Sequence, residues 1–271
     1  MLLPLPDDAR GDLRFWLRAG ETLAAWHRYG VVGIEKLDFP GPKLLIAYHG
    51  RGLATDMIVL SSLLYHRHGR LPHSFLHGAF DAHPRLAAFT QALGFVTSEG
   101  PEVAAAAQRG EDFILLPGGT REANRTWKVR YKVDWGKRSG FLRMALTHGL
   151  TLVPIAAAGV DSTYIGLTDG YQVSKRLNLP ERVPGWLAVG PLGPFPPSPP
   201  FPVRVLQVIG DPIDPRSFGV GPDDRDGLAA ASLDIQARIQ GLLDHARDLK
   251  RRRVQDGVQT FQQAGRRVGG A

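Results

Sequence analysis

The 271 residues contain no cysteine. Thiol nucleophiles, disulfides and cysteine-ligated zinc are thereby excluded, and a cytoplasmic setting is the expectation. No run of about 18 apolar residues occurs, so a membrane-spanning helix is not expected. The apolar start, Met1 to Pro6, is too short for a secretory signal and is followed at once by Asp7 and Asp8. An aromatic-and-basic RNA-binding signature is also missing, so nucleic acid is not an expected partner. The absence of a G-x-S-x-G nucleophile elbow argues against a serine hydrolase. Histidines are present at 66, 68, 73, 77 and 83, but their spacing matches no zinc pattern, and no metal is expected.

What the chain does have is ordinary globular material with an excess of positive charge. Hydrophobic residues make up 43% and charged residues 22%, a balance that supports a packed core. A formal charge of +7 attracts anions, and lipid headgroups or cofactor phosphates suit this chain better than nucleic acid. The basic residues thicken around Lys250, Arg251, Arg252 and Arg253. The length suits one large domain over 1–271 rather than two.

Apolar residues recurring at helical spacing predict a helix over about 13–29, suited to packing on the core or, through its tryptophans, to resting on a membrane. The compact run KLLIAY at 43–48 predicts a buried strand. A helix follows over 56–66 with Thr55 as its N-cap and Asp56 in its first turn. Further strands are expected at 73–80, 94–98, 112–116, 150–157 and 203–209, with helices at 84–93, 103–109 and 141–148. The proline-rich stretch 187–202 reads as an extended surface connection. A helical pattern covers about 223–264. Strands alternating with short helices predict an α/β fold: a central, largely parallel sheet covered by helices, with N- and C-terminal helical additions.

Two constellations carry chemistry. His49 ends the first strand, precedes a loop containing Gly50 and Gly52, and is followed by Asp56 at the start of a helix. Histidine takes a hydroxyl proton near neutral pH, and a carboxylate on its other ring nitrogen fixes the tautomer. Alone, this pattern fits a structural histidine equally well. The second constellation is Pro117-Gly118-Gly119-Thr120-Arg121-Glu122, directly after another strand. Paired glycines allow close approach of backbone N–H groups to a ligand, and Arg121 adds a forked cation. In isolation a plain turn explains it as well.

In order along the chain, YHGRGLATD at 48–56, LLPGGTREA at 115–123, YKVDWGKRSGF at 131–141, LVPIAAAG at 152–159 and IGDPID at 209–214 together resemble the glycerolipid acyltransferase superfamily. The branch related to monoacylglycerol and diacylglycerol acyltransferases is the most similar. The resemblance covers roughly 43–215. It implies a glycerol-phosphate-acyltransferase-like fold, His49 as general base with Asp56 as its orienting acid, and an acceptor site formed by Gly118, Gly119, Thr120, Arg121 and Glu122. Lys137 and Arg138 are candidates for donor phosphates. No cofactor is implied beyond acyl-CoA or acyl carrier protein as co-substrate. The acceptor is a lipid alcohol, which calls for peripheral attachment to a membrane surface; the oligomeric state is left open.

Two departures stand out. Four residues separate histidine from aspartate in the usual superfamily motif, whereas six do here. Gly118 stands where phosphate-acceptor members carry glutamate before GTR. Its loss, with Glu122 present, resembles the neutral-lipid branch, so mono- or diacylglycerol is expected ahead of a lysophospholipid. A non-catalytic lipid-binding relative is the remaining alternative.

Overall fold

A computed structural model describes residues 3, 5, 11–76, 83–178 and 185–266. The helices are α1 (Gly11–Trp26), α2 (Thr55–His68), α3 (Pro84–Ala92), α4 (Pro101–Gln108), α5 (Gly119–Ala123), α6 (Gly140–His148), α7 (Gly170–Arg176), α8 (Arg225–Arg252) and α9 (Phe261–Ala264). The strands are β1 (Gly30–Val32), β2 (Lys43–Ala47), β3 (His73–Ser74), β4 (Phe113–Leu115), β5 (Thr151–Ala158), β6 (Ile165–Gly166), β7 (Ala188–Gly190), β8 (Gly193–Pro194), β9 (Leu206–Ile209) and β10 (Gln259–Thr260).

The main sheet runs β10-β1-β9-β5-β2-β4-β3. Its centre is parallel: Leu45 of β2 faces Val153 of β5 on one side and Ile114 of β4 on the other. β3 and β1 also pair parallel with β4 and β9, whereas β5–β9 and β1–β10 are antiparallel. The expected α/β architecture is present, with a mostly parallel sheet. β2 is buried at every position, as a strand covered on both faces must be. α8 lies along β5 and β9, inserting Ile235, Ile239 and Leu243 into the core. α1 packs on α2, where Trp16 Nε1 donates to Ser61 Oγ at 2.9 Å and Ser62 Oγ to the Leu17 carbonyl at 3.2 Å.

Several local expectations need correction. Thr55 is the first helical residue of α2, and Ala54 occupies the cap without a side-chain bond. The strand expected at 94–98 reduces to one bridge, Phe75 with Val96, because Gly94 is in the left-handed region and the chain turns there. The strand expected at 73–80 is seen as β3 at 73–74, and its end, with His77, lies outside the described residues. Within 187–202 the chain forms β7 and β8, which join β6 in a second, antiparallel sheet. The helical stretch expected to reach Ala264 breaks after Arg252. Arg253 takes a left-handed φ of 56°, ending α8, and β10 then adds to the sheet edge before α9.

Candidate active site

The carboxyl ends of three adjacent strands bring the site together, the usual place for one in an open α/β sheet. β2 leads into Tyr48 and His49, β4 leads into Pro117 and Gly118, and β5 leads through Gly159 to Asp161. His49 is half-buried on the wall of a cavity of about 690 Å³. Leu53, Phe75, Leu115, Phe141 and Met144 supply much of its apolar lining; Gly119 and Thr120 form part of one wall, and Arg138, Arg143 and Glu99 are its charged members.

His49 Nδ1 lies 2.6 Å from the carbonyl oxygen of Gly50. A carbonyl only accepts, so Nδ1 carries the proton and neutral His49 presents an unprotonated Nε2. Burial pushes the His49 pKa down to about 4, helped by the charge of Arg125 and opposed by the Gly50 carbonyl and by Asp161. The imidazole is therefore neutral at physiological pH.

Asp56 does not make the expected contact with His49. Its carboxyl group is buried near Tyr29, both oxygens lack a side-chain hydrogen-bond partner among the described residues, and burial raises its pKa to about 7. The physical reason is the added loop length: residues 50–54 let α2 begin with Asp56 turned into the core, and the Gly50 carbonyl takes the ring nitrogen instead. The acid whose charge reaches His49 is Asp161. It is fully buried and accepts hydrogen bonds from Tyr48 Oη at 2.6 Å and from the Tyr131 N–H.

Glu122 is fully buried and is not part of the cavity wall. Its Oε2 accepts from the His49 backbone N–H at 2.9 Å and its Oε1 from the Asp134 N–H at 2.7 Å. Burial raises its pKa to about 7, against the lowering effect of Arg125 and of these two N–H donors. Gly118 also lies off the cavity wall. Arg121 is turned away: Nη2 donates to both Asp134 oxygens at 2.9 and 3.0 Å, and the guanidinium lies 4.7 Å from the Tyr171 ring centroid. It faces a separate cleft with Asp169, Lys175 and Arg176. Of the acceptor block, only Gly119 and Thr120 line the cavity beside His49. The short helix α5 separates Arg121 and Glu122, since successive side chains on a helix are rotated by about 100°.

Arg138 Nη1 donates to the carbonyls of Pro117 and Gly118, each at 2.8 Å, and the residue also lines the cavity. Lys137 is exposed and is not part of the cavity wall. Sequence reasoning did not single out Arg51. Its buried guanidinium donates to the carbonyls of Asp161, Tyr164 and Thr126 at 2.8, 3.1 and 3.0 Å, tying the His49 loop to two others. Gly52 makes this loop possible, with φ of 64° and a Cβ position only 3.0 Å from the Tyr164 ring. Asp161 was also missed; an acid after a strand and a glycine carries no mark of its burial.

A family model described as diacylglycerol acyltransferase matches residues 83–177. That span includes the 117–122 block and Arg138 but not His49. A chicken protein described as a DGAT1/2-independent enzyme synthesizing storage lipids is 28% identical over 66% of this chain and 56% of its own length. The Arabidopsis thaliana protein named phytyl ester synthase 1, chloroplastic, is 26% identical over 47% of this chain and 20% of its own. The chain thus spans less than two thirds of these relatives. The crystal structure of the 1-acyl-sn-glycerophosphate acyltransferase PlsC from Thermotoga maritima superimposes with a TM-score of 0.52, covering 88% of this chain and 79% of that one at 16% identity. The fold is that of PlsC. The partial family match, these relatives and the shared fold together support the glycerolipid acyltransferase superfamily.

Proposed function

We propose that this chain transfers a fatty acyl group from an acyl thioester to the hydroxyl of a neutral lipid alcohol such as mono- or diacylglycerol, with His49 as general base. The observation that carries this reading is the Nδ1 contact with Gly50 at 2.6 Å, which leaves Nε2 available at the wall of an apolar cavity. Nε2 takes the hydroxyl proton as the oxygen attacks the thioester carbonyl carbon. The carbon–sulfur bond then breaks, and the leaving thiolate takes the proton back from the imidazolium. No covalent acyl-enzyme is required.

The neutral acceptor is favoured by the placement of Arg121, which is engaged with Asp134 outside the cavity and so is not free to hold an acceptor phosphate. Arg138 is the basic group suited to the donor's phosphates, whether acyl-CoA or acyl carrier protein, because it reaches the cavity wall from the segment before α6.

The test is a purified-protein assay of acyl-CoA and acyl carrier protein donors against monoacylglycerol, diacylglycerol and lysophosphatidic acid. Transfer to the uncharged alcohols, abolished in a folded His49→Ala variant, is the expected result. Unimpaired turnover by His49→Ala overturns the mechanism, and preference for lysophosphatidic acid overturns the acceptor. Donor binding without turnover on any alcohol would mark a non-catalytic relative.

A further inference from the structure

The second sheet exposes an apolar face that Gly52 and Leu53 connect to the cavity. Pairing of Ile165 with Val189 and of Gly166 with Ala188 sets Leu167 opposite Leu187, and the Leu167 N–H donates to the Leu187 carbonyl at 2.8 Å. Side chains alternate along a strand, so the two sides separate cleanly. Ala188 faces inward among Tyr164, Trp186 and Phe195. Ile165, Leu167 and Leu187 face outward at 43%, 59% and 64% exposure.

Trp127 and Val129 extend this surface. The carbonyls of Thr126 and Tyr164 accept from the same Arg51 guanidinium, so the chains leading to Trp127 and Ile165 start side by side. Both Trp127 and Val129 are nearly half exposed. Leu53 links the surface to the site: it is 47% exposed and lines the His49 cavity, while Gly52 beside it rests against Tyr164 and Trp186.

Positive charge predominates around it, with Asp134 and Asp169 the acids of the cleft that Lys175 and Arg176 line. Lys128, Arg130 and Lys132 are exposed on one flank, with Arg130 stacked 5.0 Å from the Trp127 ring centroid. Lys175 and Arg176 are exposed at the end of α7, which is joined to the strand region by Gly185 N–H donating to Ser174 Oγ at 3.0 Å. In the described segments 126–132, 163–178 and 185–200 the one acid is Asp169, and it caps the N-terminus of α7 by accepting from Gln172 N.

We propose that this face docks on an anionic lipid bilayer. Ile165, Leu167, Leu187 and Trp127 enter the headgroup region, and Lys128, Arg130, Lys132, Lys175 and Arg176 meet lipid phosphates. Leu53 then stands where lipid passes between bilayer and cavity. Only this last step rests on the acyl-transfer reading; the docking face stands on its own geometry.

The experiment is co-sedimentation of the full chain with vesicles of phosphatidylcholine alone or mixed with phosphatidylglycerol. Binding is expected to favour the anionic vesicles and to weaken as salt screens the charges. Leu167→Asp with Leu187→Asp is expected to lower partitioning by at least about tenfold, without changing the melting temperature, because both side chains are exposed. Lys128→Glu with Arg130→Glu is expected to reduce anionic binding and flatten the salt dependence. Undiminished vesicle binding by the leucine variant overturns the proposal, as does failure of the parent to bind. A dimer seen by ultracentrifugation and broken by the leucine variant would reassign the face to self-association. Transfer to an acceptor in detergent micelles separates the two readings. Its absence in the parent sinks acyl transfer alone, whereas its retention in the leucine variant leaves the vesicle result to decide docking.

Discussion

The Glu122 carboxyl group occupies the space that a side chain at Gly118 would need. A Cβ at Gly118 would lie 2.1 Å from Glu122 Cδ and 2.2 Å from Oε2. Gly118 has ordinary helical dihedrals, φ −64° and ψ −32°, so space alone demands glycine there. Where the wider superfamily pattern has glutamate before GTR, this chain brings in a carboxylate from four residues later. That carboxylate holds the backbone N–H groups of His49 and Asp134.

This relationship predicts a dependence between the two positions. Gly118→Ala is expected to destabilise the fold by about 1–3 kcal/mol through overpacking. Glu122→Ala leaves two N–H groups without their carboxylate acceptor, costing about 1–3 kcal/mol for each that stays buried and unpaired. Gly118→Asp combined with Glu122→Ala removes the clash and restores an acceptor. Its melting temperature and kcat/KM should exceed those of Glu122→Ala alone. A double variant worse than either single one would show that the carboxylate cannot be supplied from position 118.

Base catalysis needs neutral His49, and burial has moved its pKa to about 4. The acid limb of kcat/KM should therefore fall near pH 4 rather than near the ordinary histidine value, with little loss between pH 7 and 5. A rate profile measured on folded protein, with an inflection near 6.5 that disappears in His49→Gln, would contradict the depressed value.

Asp56 makes the opposite contribution to stability. Its pKa is raised from 3.8 to about 7 in the folded chain, so between these values the native state holds a proton that the unfolded state has lost. Its contribution is fully present below the unfolded value and is lost as pH rises through the folded one. Relative to Asp56→Asn, the parent should lose on the order of 2 kcal/mol between pH 5 and 7.5. Denaturant midpoints of the two proteins at both pH values measure this. A constant difference would mean that Asp56 ionises normally.

Arginine substitutions should divide along the two clefts. Arg121→Ala leaves the cavity lining intact and is expected to change KM for a neutral acceptor by less than about threefold. Arg138→Ala releases the carbonyls of Pro117 and Gly118 and is expected to lower kcat/KM by about tenfold or more. Parallel steady-state assays with monoacylglycerol decide it. A large KM effect from Arg121→Ala would place the acceptor in the cleft with Asp134 and Tyr171.

Much of the architecture was legible because buried strands announce themselves. KLLIAY and LVPIAAAG are continuous apolar runs with glycine or proline nearby, and they became β2 and β5 at the centre of the sheet. The edges were harder: β10 consists of Gln259 and Thr260, without an apolar pattern, and is held by its partner rather than by propensity. His49 was readable from its place at a strand end. The partner of its ring was not, because a main-chain carbonyl leaves no trace in a residue string. Glu122 and Arg121 are neighbours in sequence, yet one is sealed beneath the cavity and the other faces a different cleft. Only the direction of one helical turn separates them.

The clamp on segment 131–135 has a consequence for the order in which the protein can be completed during synthesis. Glu122 holds Asp134 on one side, while on the other Gln240 Oε1 accepts from Val133 N–H at 2.9 Å and Gln236 Oε1 from Trp135 N–H at 3.1 Å. Both glutamines belong to α8, far beyond the segment that contains His49 and the acceptor block. A chain released only as far as residue 215 therefore leaves the Val133 and Trp135 N–H groups without these acceptors. Segment 131–135 can close against α8 only once that helix has emerged, so its main chain is among the later parts to settle.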